Sequence, residues 1–161
     1  MSGTSLDEQG LGWAGEGDEA SDSSREGFVG RVPRRLAVLS FAADKDHLAL
    51  ARMTAMHVAG LAGLPIGRVT DIRLAVDEAC SLFLRGAKPG AGAMLTVRFD
   101  RLASALRIAV SGPAPERGPD AEDLGWLMLC ALVVRPHWEE RDGVGTLTMN
   151  EPLTSAAGSG R

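Results

Sequence analysis

From Thr70 to Ala87 the apolar residues Ile72, Ala75, Val76, Ala79, Leu82 and Phe83 recur at intervals of three and four, and Arg73, Asp77 and Ser81 fall between them. That period is one stripe on a helix, so the stretch predicts a core-packing amphipathic helix. Thr70 and Asp71 offer capping oxygens at its start, and Gly86 offers a stop. Upstream, Arg35 to Ala42 follows Pro33 and reads as a strand; Asp44 or Asp46 then caps a helix through about Ala62 that carries Leu48, Met53, Met56 and Val58. Gly63 to Gly67 reads as a turn, and Lys88 to Gly92 as a helix-to-strand loop.

Downstream the period changes from three-and-four to two. Leu95, Val97 and Phe99 alternate with Thr96, Arg98 and Asp100; Leu106, Ile108 and Val110 alternate with Arg107 and Ala109. These runs predict an antiparallel pair with one buried face. Gly112 to Pro119 is a loop. A third helix is expected from Asp120 to about Val134, with Asp120, Glu122 and Asp123 at the positive end of its dipole and Pro136 as its stop. Asp142-Gly143 signals a hairpin between Trp138 and Met149, with Leu147 and Met149 on one face of the last strand. The order predicts an α+β two-layer sandwich, a mixed and mostly antiparallel sheet with helices on one face.

The ends differ from this middle. Residues 1–30 carry seven acids and one base, leaving +2 for the rest of a chain whose net charge is −4. Few large apolar residues lie there apart from Trp13 and Phe28, so 1–32 is expected to be a disordered acidic tail. The folded domain is expected over 33–151, followed by a flexible tail over 152–161. A nearly neutral domain argues against a nucleic-acid partner. No segment has the pattern of a signal peptide, and the longest apolar run, Leu124 to Val134, is too short to cross a bilayer. The expected location is cytoplasmic, without membrane contact. Cys80 and Cys130 both fall in expected apolar helices and predict buried, reduced thiols rather than a disulfide. No zinc spacing surrounds them, His47 and His57 form no ligand set, and P-loop, HExxH and Ser-His-Asp patterns are absent. The chemical candidate is Glu78, beside the apolar stripe, either solvated at its edge or aimed into a cleft.

Asp71-Ile-Arg-Leu-Ala-Val-Asp-Glu-Ala-Cys80 resembles the N-box helix of the anti-sigma factor and serine-kinase branch of the histidine-kinase-like ATPases, the GHKL superfamily. Leu124 to Val133 resembles that family's late helix, and Gly145 to Met149 its closing strand; the similarity runs from about Arg35 to Glu151. It implies a Glu general base at Glu78 and a lid glycine at Gly125. Active members carry a magnesium-binding Asn one turn after the Glu, where this chain has Leu82, which offers no oxygen to a hard cation. They also carry an adenine-binding Asp after the strand that ends here near Val110, and no Asp lies between Asp100 and Asp120. The expectation is therefore no cofactor, neither ATP nor magnesium, with Glu78 and Gly125 vestigial and no metal site. The implied function is an anti-sigma factor that sequesters an alternative sigma factor by binding and is countered by a STAS-domain anti-anti-sigma protein, with a homodimer possible. Two alternatives stay open: a divergent serine-protein kinase acting on the STAS protein, and a regulator of the STAS protein without sigma contact.

Overall fold

The computed structural model describes residues 32–85 and 92–154. Chain contacts divide the protein into two units, 1–30 and 31–161. The first, with Trp13 and Phe28, lies outside the described residues, as do most of the expected Lys88–Gly92 loop, the Gly86 stop and residues 155–161.

Strand β1 (Arg34–Ala42) leads through a short 3₁₀ turn (Lys45–His47) into helix α1 (Leu48–Leu61), and α2 (Ile66–Leu84) follows. A hairpin comes next, β2 (Met94–Arg101) and β3 (Ala105–Pro113), then α3 (Leu124–Leu132) and a second hairpin, β4 (Val134–Arg141) and β5 (Val144–Pro152). The strands lie in the order β1-β2-β3-β5-β4. Every pairing among the described residues is antiparallel, so the sheet has no parallel component. The α+β class and two layers are as expected.

The alternation in sequence becomes the two faces of the sheet. Leu95, Val97, Phe99, Leu106, Ile108, Val110, Leu147 and Met149 are all buried, whereas Thr96, Arg98, Arg107, Thr146 and Thr148 on the other face are half-exposed. Above the buried face, α2 contributes the predicted Ile72, Ala75, Val76, Ala79, Leu82 and Phe83, joined by Val69 and Cys80. Helix α1 adds a strip of Ala51, Ala55 and Ala59, whose small side chains let it lie close against α2. The second hairpin turns on Asp142 and Gly143, both at positive φ, the two-residue geometry that an Asp-Gly pair supplies. Gly145 is required by packing, since a Cβ there would meet the Trp138 ring and come within 3.1 Å of Phe83. Those two aromatic rings stand 5.3 Å apart.

Several boundaries differ from expectation. Helix α2 begins at Ile66, with Pro65 as N-cap; Thr70 instead bonds back to the Ile66 carbonyl, and Asp71 pairs with Arg68. Proline at the N-cap has φ near −63° already set, so Ile66 and Gly67 open the helix where a turn was expected. Helix α3 is shorter than the apolar run and spans Leu124–Leu132, because Val133 is already extended. Pro136 does not stop a helix; it lies in β4, an edge strand, where the register shifts between Val134 and His137. An edge position with a bulge is where a strand tolerates the missing N–H. Cys130 was expected to be buried and is exposed, because α3 buries only Gly125 and Leu129.

One polar tie crosses the layers. Arg68, in the first turn of α2, donates to both carboxylate oxygens of buried Glu151 on β5, at 2.7 and 2.5 Å, to Asp71, and to the Leu132 carbonyl at the end of α3. The bond from Glu151 raises the Arg68 guanidinium above its usual pKa against the opposing effect of burial.

Candidate functional site

The second half of α2 and its C-cap, Arg85, still in helical conformation, present Glu78, Leu82 and Arg85 at intervals of four and three, so they share one face of the helix. The segment between β3 and α3 crosses in front of that face and delivers Asp123. Asp123 caps α3: its Oδ1 accepts from the Gly125 amide at 2.8 Å and from the Trp126 amide at 3.4 Å. The same oxygen accepts from Arg85 Nη1 at 3.2 Å, and Arg85 Nη2 donates to Glu78 Oε1 at 3.0 Å. One guanidinium thus holds two carboxylates, one on its own helix and one across the gap.

Gly125 completes the arrangement. A Cβ at that position would overlap the Glu78 carboxylate and the Arg85 guanidinium and lie 3.1 Å from Asp123 Oδ1. Glycine therefore lets α3 approach α2 here without displacing the ends of Glu78 and Arg85. Beside the cluster lies a cavity of about 270 Å³ lined by Leu82, Arg85, Asp123 and the run Pro115-Glu116-Arg117-Gly118-Pro119. That is at the small end of ligand pockets, which usually exceed about 300 Å³. Leu82 closes its floor at 5% exposure and belongs to the hydrophobic core.

Glu78 lies at the edge of the stripe, half-buried. Its side chain is 21% exposed, and its charge is met by Arg85. Glu78 and Gly125, the two residues singled out in sequence, stand together. Arg85 and Asp123 were missed, although both carried a signal: Arg85 is two helical turns after Glu78, and Asp123 directly precedes Leu124-Gly125 at a helix start. Among the described residues no group of three or more His, Cys, Asp or Glu side chains is placed to hold a metal ion.

The family model for the histidine kinase-like ATPase domain matches residues 41–150, which takes in every element from the last residues of β1 to β5. The chain belongs to that family. Among curated proteins none matches the sequence. In three dimensions this histidine kinase-like ATPase domain is similar to the crystal structure of the RsbU and RsbW domains of Rv1364c from Mycobacterium tuberculosis. The TM-score is 0.55 at 16% identity, over 73% of this chain and 33% of that one. The likeness is one of fold, and the chain matches about a third of the length of that protein. No described helix is long and apolar enough to cross a membrane.

Proposed function

We propose that this histidine kinase-like ATPase domain is an anti-sigma factor that holds an alternative sigma factor by surface complementarity, is displaced by a STAS-domain anti-anti-sigma protein, and phosphorylates neither. The observation that carries this reading is the state of the α2 face. Magnesium requires oxygen ligands in near-octahedral array. The position one turn after Glu78 is instead a core leucine, and Glu78 itself is paired to a tethered cation. At the end of β3 and just past it, the run Ser111-Gly-Pro-Ala-Pro115 offers no carboxylate to an adenine amino group. These residues do not fit a magnesium nucleotide, and no step of the proposed activity passes through one.

Protein binding has support of a different kind. Helix α3 exposes Leu124 at 72%, with Leu127 and Met128 on the same side, and α1 exposes Met53 at 69%, with Leu50 and Leu61 in line. Large apolar side chains grouped on helix faces mark contact surfaces more often than isolated ones do. The fold shared with an RsbW domain supports the same reading.

The test is transcription in vitro by the cognate holoenzyme, with the sigma factor identified by co-purification from the native cell. Full inhibition without nucleotide, relieved by an unmodified STAS protein, is expected. Inhibition that depends on magnesium and ATP, with phosphate transferred to a serine of the STAS protein, refutes the reading in favour of a kinase. Co-purification of a STAS protein with no sigma factor refutes it in favour of a STAS-directed regulator.

A further inference from the structure

We propose that Arg85 is a built-in cation that clasps α3 and the 114–123 segment onto α2, so that this part of the domain is closed without any ligand. The proposal rests on the nucleotide-free reading of the same site and adds to it a device that the chain itself supplies.

The geometry is that of a two-sided bridge. The Glu78 carboxylate, seven residues back on the same helix, fixes the direction of the Arg85 side chain; the Asp123 carboxylate is then held by the other guanidinium nitrogen. Asp123 Oδ1 also receives the first amides of α3, so its charge is shared between the arginine and the helix N-terminus. The segment it terminates has few other ties. At its start the Ala114 amide donates to the Gly143 carbonyl at 2.8 Å. At its end the turn is closed locally, by Glu122 and Asp123 amides on Asp120. Two prolines, at 115 and 119, remove amides that could have anchored the stretch between. Release of Arg85 therefore frees the polar tie between α2 and the start of α3, leaving only apolar packing. Gly125 has no side chain where one would drive Glu78 and Arg85 away from each other and from Asp123, so the sequence keeps the place clear.

The clasp is read by amide hydrogen exchange on the full-length protein, over peptides covering residues 114–127, without nucleotide. Arg85→Gln removes both arms. Asp123→Asn removes the far arm and keeps a capping oxygen, because Asn caps as well as Asp. Both are expected to exchange about 1.5- to fivefold faster there, the range for losing a partly exposed ion pair. Arg85→Lys is expected to restore part of the protection. High salt is expected to speed exchange in the wild type and to leave Arg85→Gln unchanged, a response that a packing role would not produce. Unchanged exchange in Arg85→Gln, or an equal salt response in both proteins, overturns the clasp. A separate arm adds magnesium and ATP to the wild type: slower exchange there overturns the nucleotide-free reading, and the ligand-free comparison of Arg85→Gln with wild type still decides the clasp.

Discussion

Replacing Leu82 by asparagine places an oxygen donor one helical turn after Glu78, and the structure says what that would cost. Leu82 is 5% exposed and packs in the same cluster as Val76, Ala79 and Phe83. Withdrawing a leucine side chain from such a site forfeits about 1.5–3 kcal/mol of burial. Placing an amide there adds about 1–3 kcal/mol if its polar atoms find no partner. Because Leu82 also borders the cavity beside Arg85, the amide can reach water on one side, which favours the lower end of the second range. The expected loss is about 3 kcal/mol, a large part of the 5–15 kcal/mol of a typical domain. Urea unfolding followed by circular dichroism measures it, with an unchanged m-value showing that only stability has moved. The same titration with magnesium and ATP is expected to give the same midpoint, since Glu78 remains tied to Arg85. A bound ligand at a hundred times its dissociation constant would add about 2.7 kcal/mol. A Leu82→Asn protein within 1 kcal/mol of wild type that is further stabilised by magnesium and ATP would refute the reasoning on both counts.

Three further outcomes follow from groups outside that position. Arg68→Met strands the buried Glu151 carboxylate; breaking a buried pair costs about 3–5 kcal/mol, and the one-third exposure of Arg68 lowers the expectation to about 2–3. The double variant Arg68→Met/Glu151→Leu should recover most of this in urea unfolding, and a single variant as stable as wild type refutes the account. Burial, and after it Asp77, pushes the Cys80 thiol up to about 12 from 9.0. The resulting stability is fully present below pH 9 and is lost as pH rises towards 12, by about 1.4 kcal/mol at the first unit. With no tyrosine and only two lysines in the chain, few other groups titrate in that window. Cys80→Ala should flatten this alkaline fall, and an unaltered fall in the variant counts against it; in native protein, thiol labelling should be fast at exposed Cys130 and slow at Cys80. Gly125→Ala gains up to about 1 kcal/mol of helix propensity but pushes the ends of Glu78 and Arg85 aside. Its melting should therefore stay near wild type while Arg85→Gln becomes silent in the Gly125→Ala background; full additivity of the two substitutions refutes the overlap.

How far the sequence led depended on whether a feature was local. The α2 stripe and the β2, β3 and β5 alternations were legible because burial on one face imposes a period, and the period survives in the letters. Asp142-Gly143 was legible because a two-residue hairpin needs positive φ at both positions. The start of α2 and the end of α3 were not: Pro65, already at helical φ, serves as N-cap ahead of Thr70 and Asp71, and Val133 is extended although it continues the apolar run. Cys130 misled for a related reason. An apolar run of eleven residues reads as buried, yet a helix that touches the core along one narrow line leaves Leu124, Leu127, Met128 and Cys130 outside.

The site shows the same division more sharply. That Leu82 is a core residue was legible from the stripe it completes. The pairing of Glu78 could not be read from its own position, because Arg85, which meets it, and Asp123, which Arg85 also holds, come together only in the fold. Arg85 arrives from two turns along the same helix, and Asp123 arrives from a segment 38 residues further on. An uncompensated carboxylate at 21% exposure would favour any cation that reached it, and in this chain the cation is covalently attached. The ion pairs of Arg85 with Glu78 and Asp123 and the close approach of Gly125 to the same groups are therefore one structural fact, since each brings the start of α3 onto the face of α2 that carries Glu78.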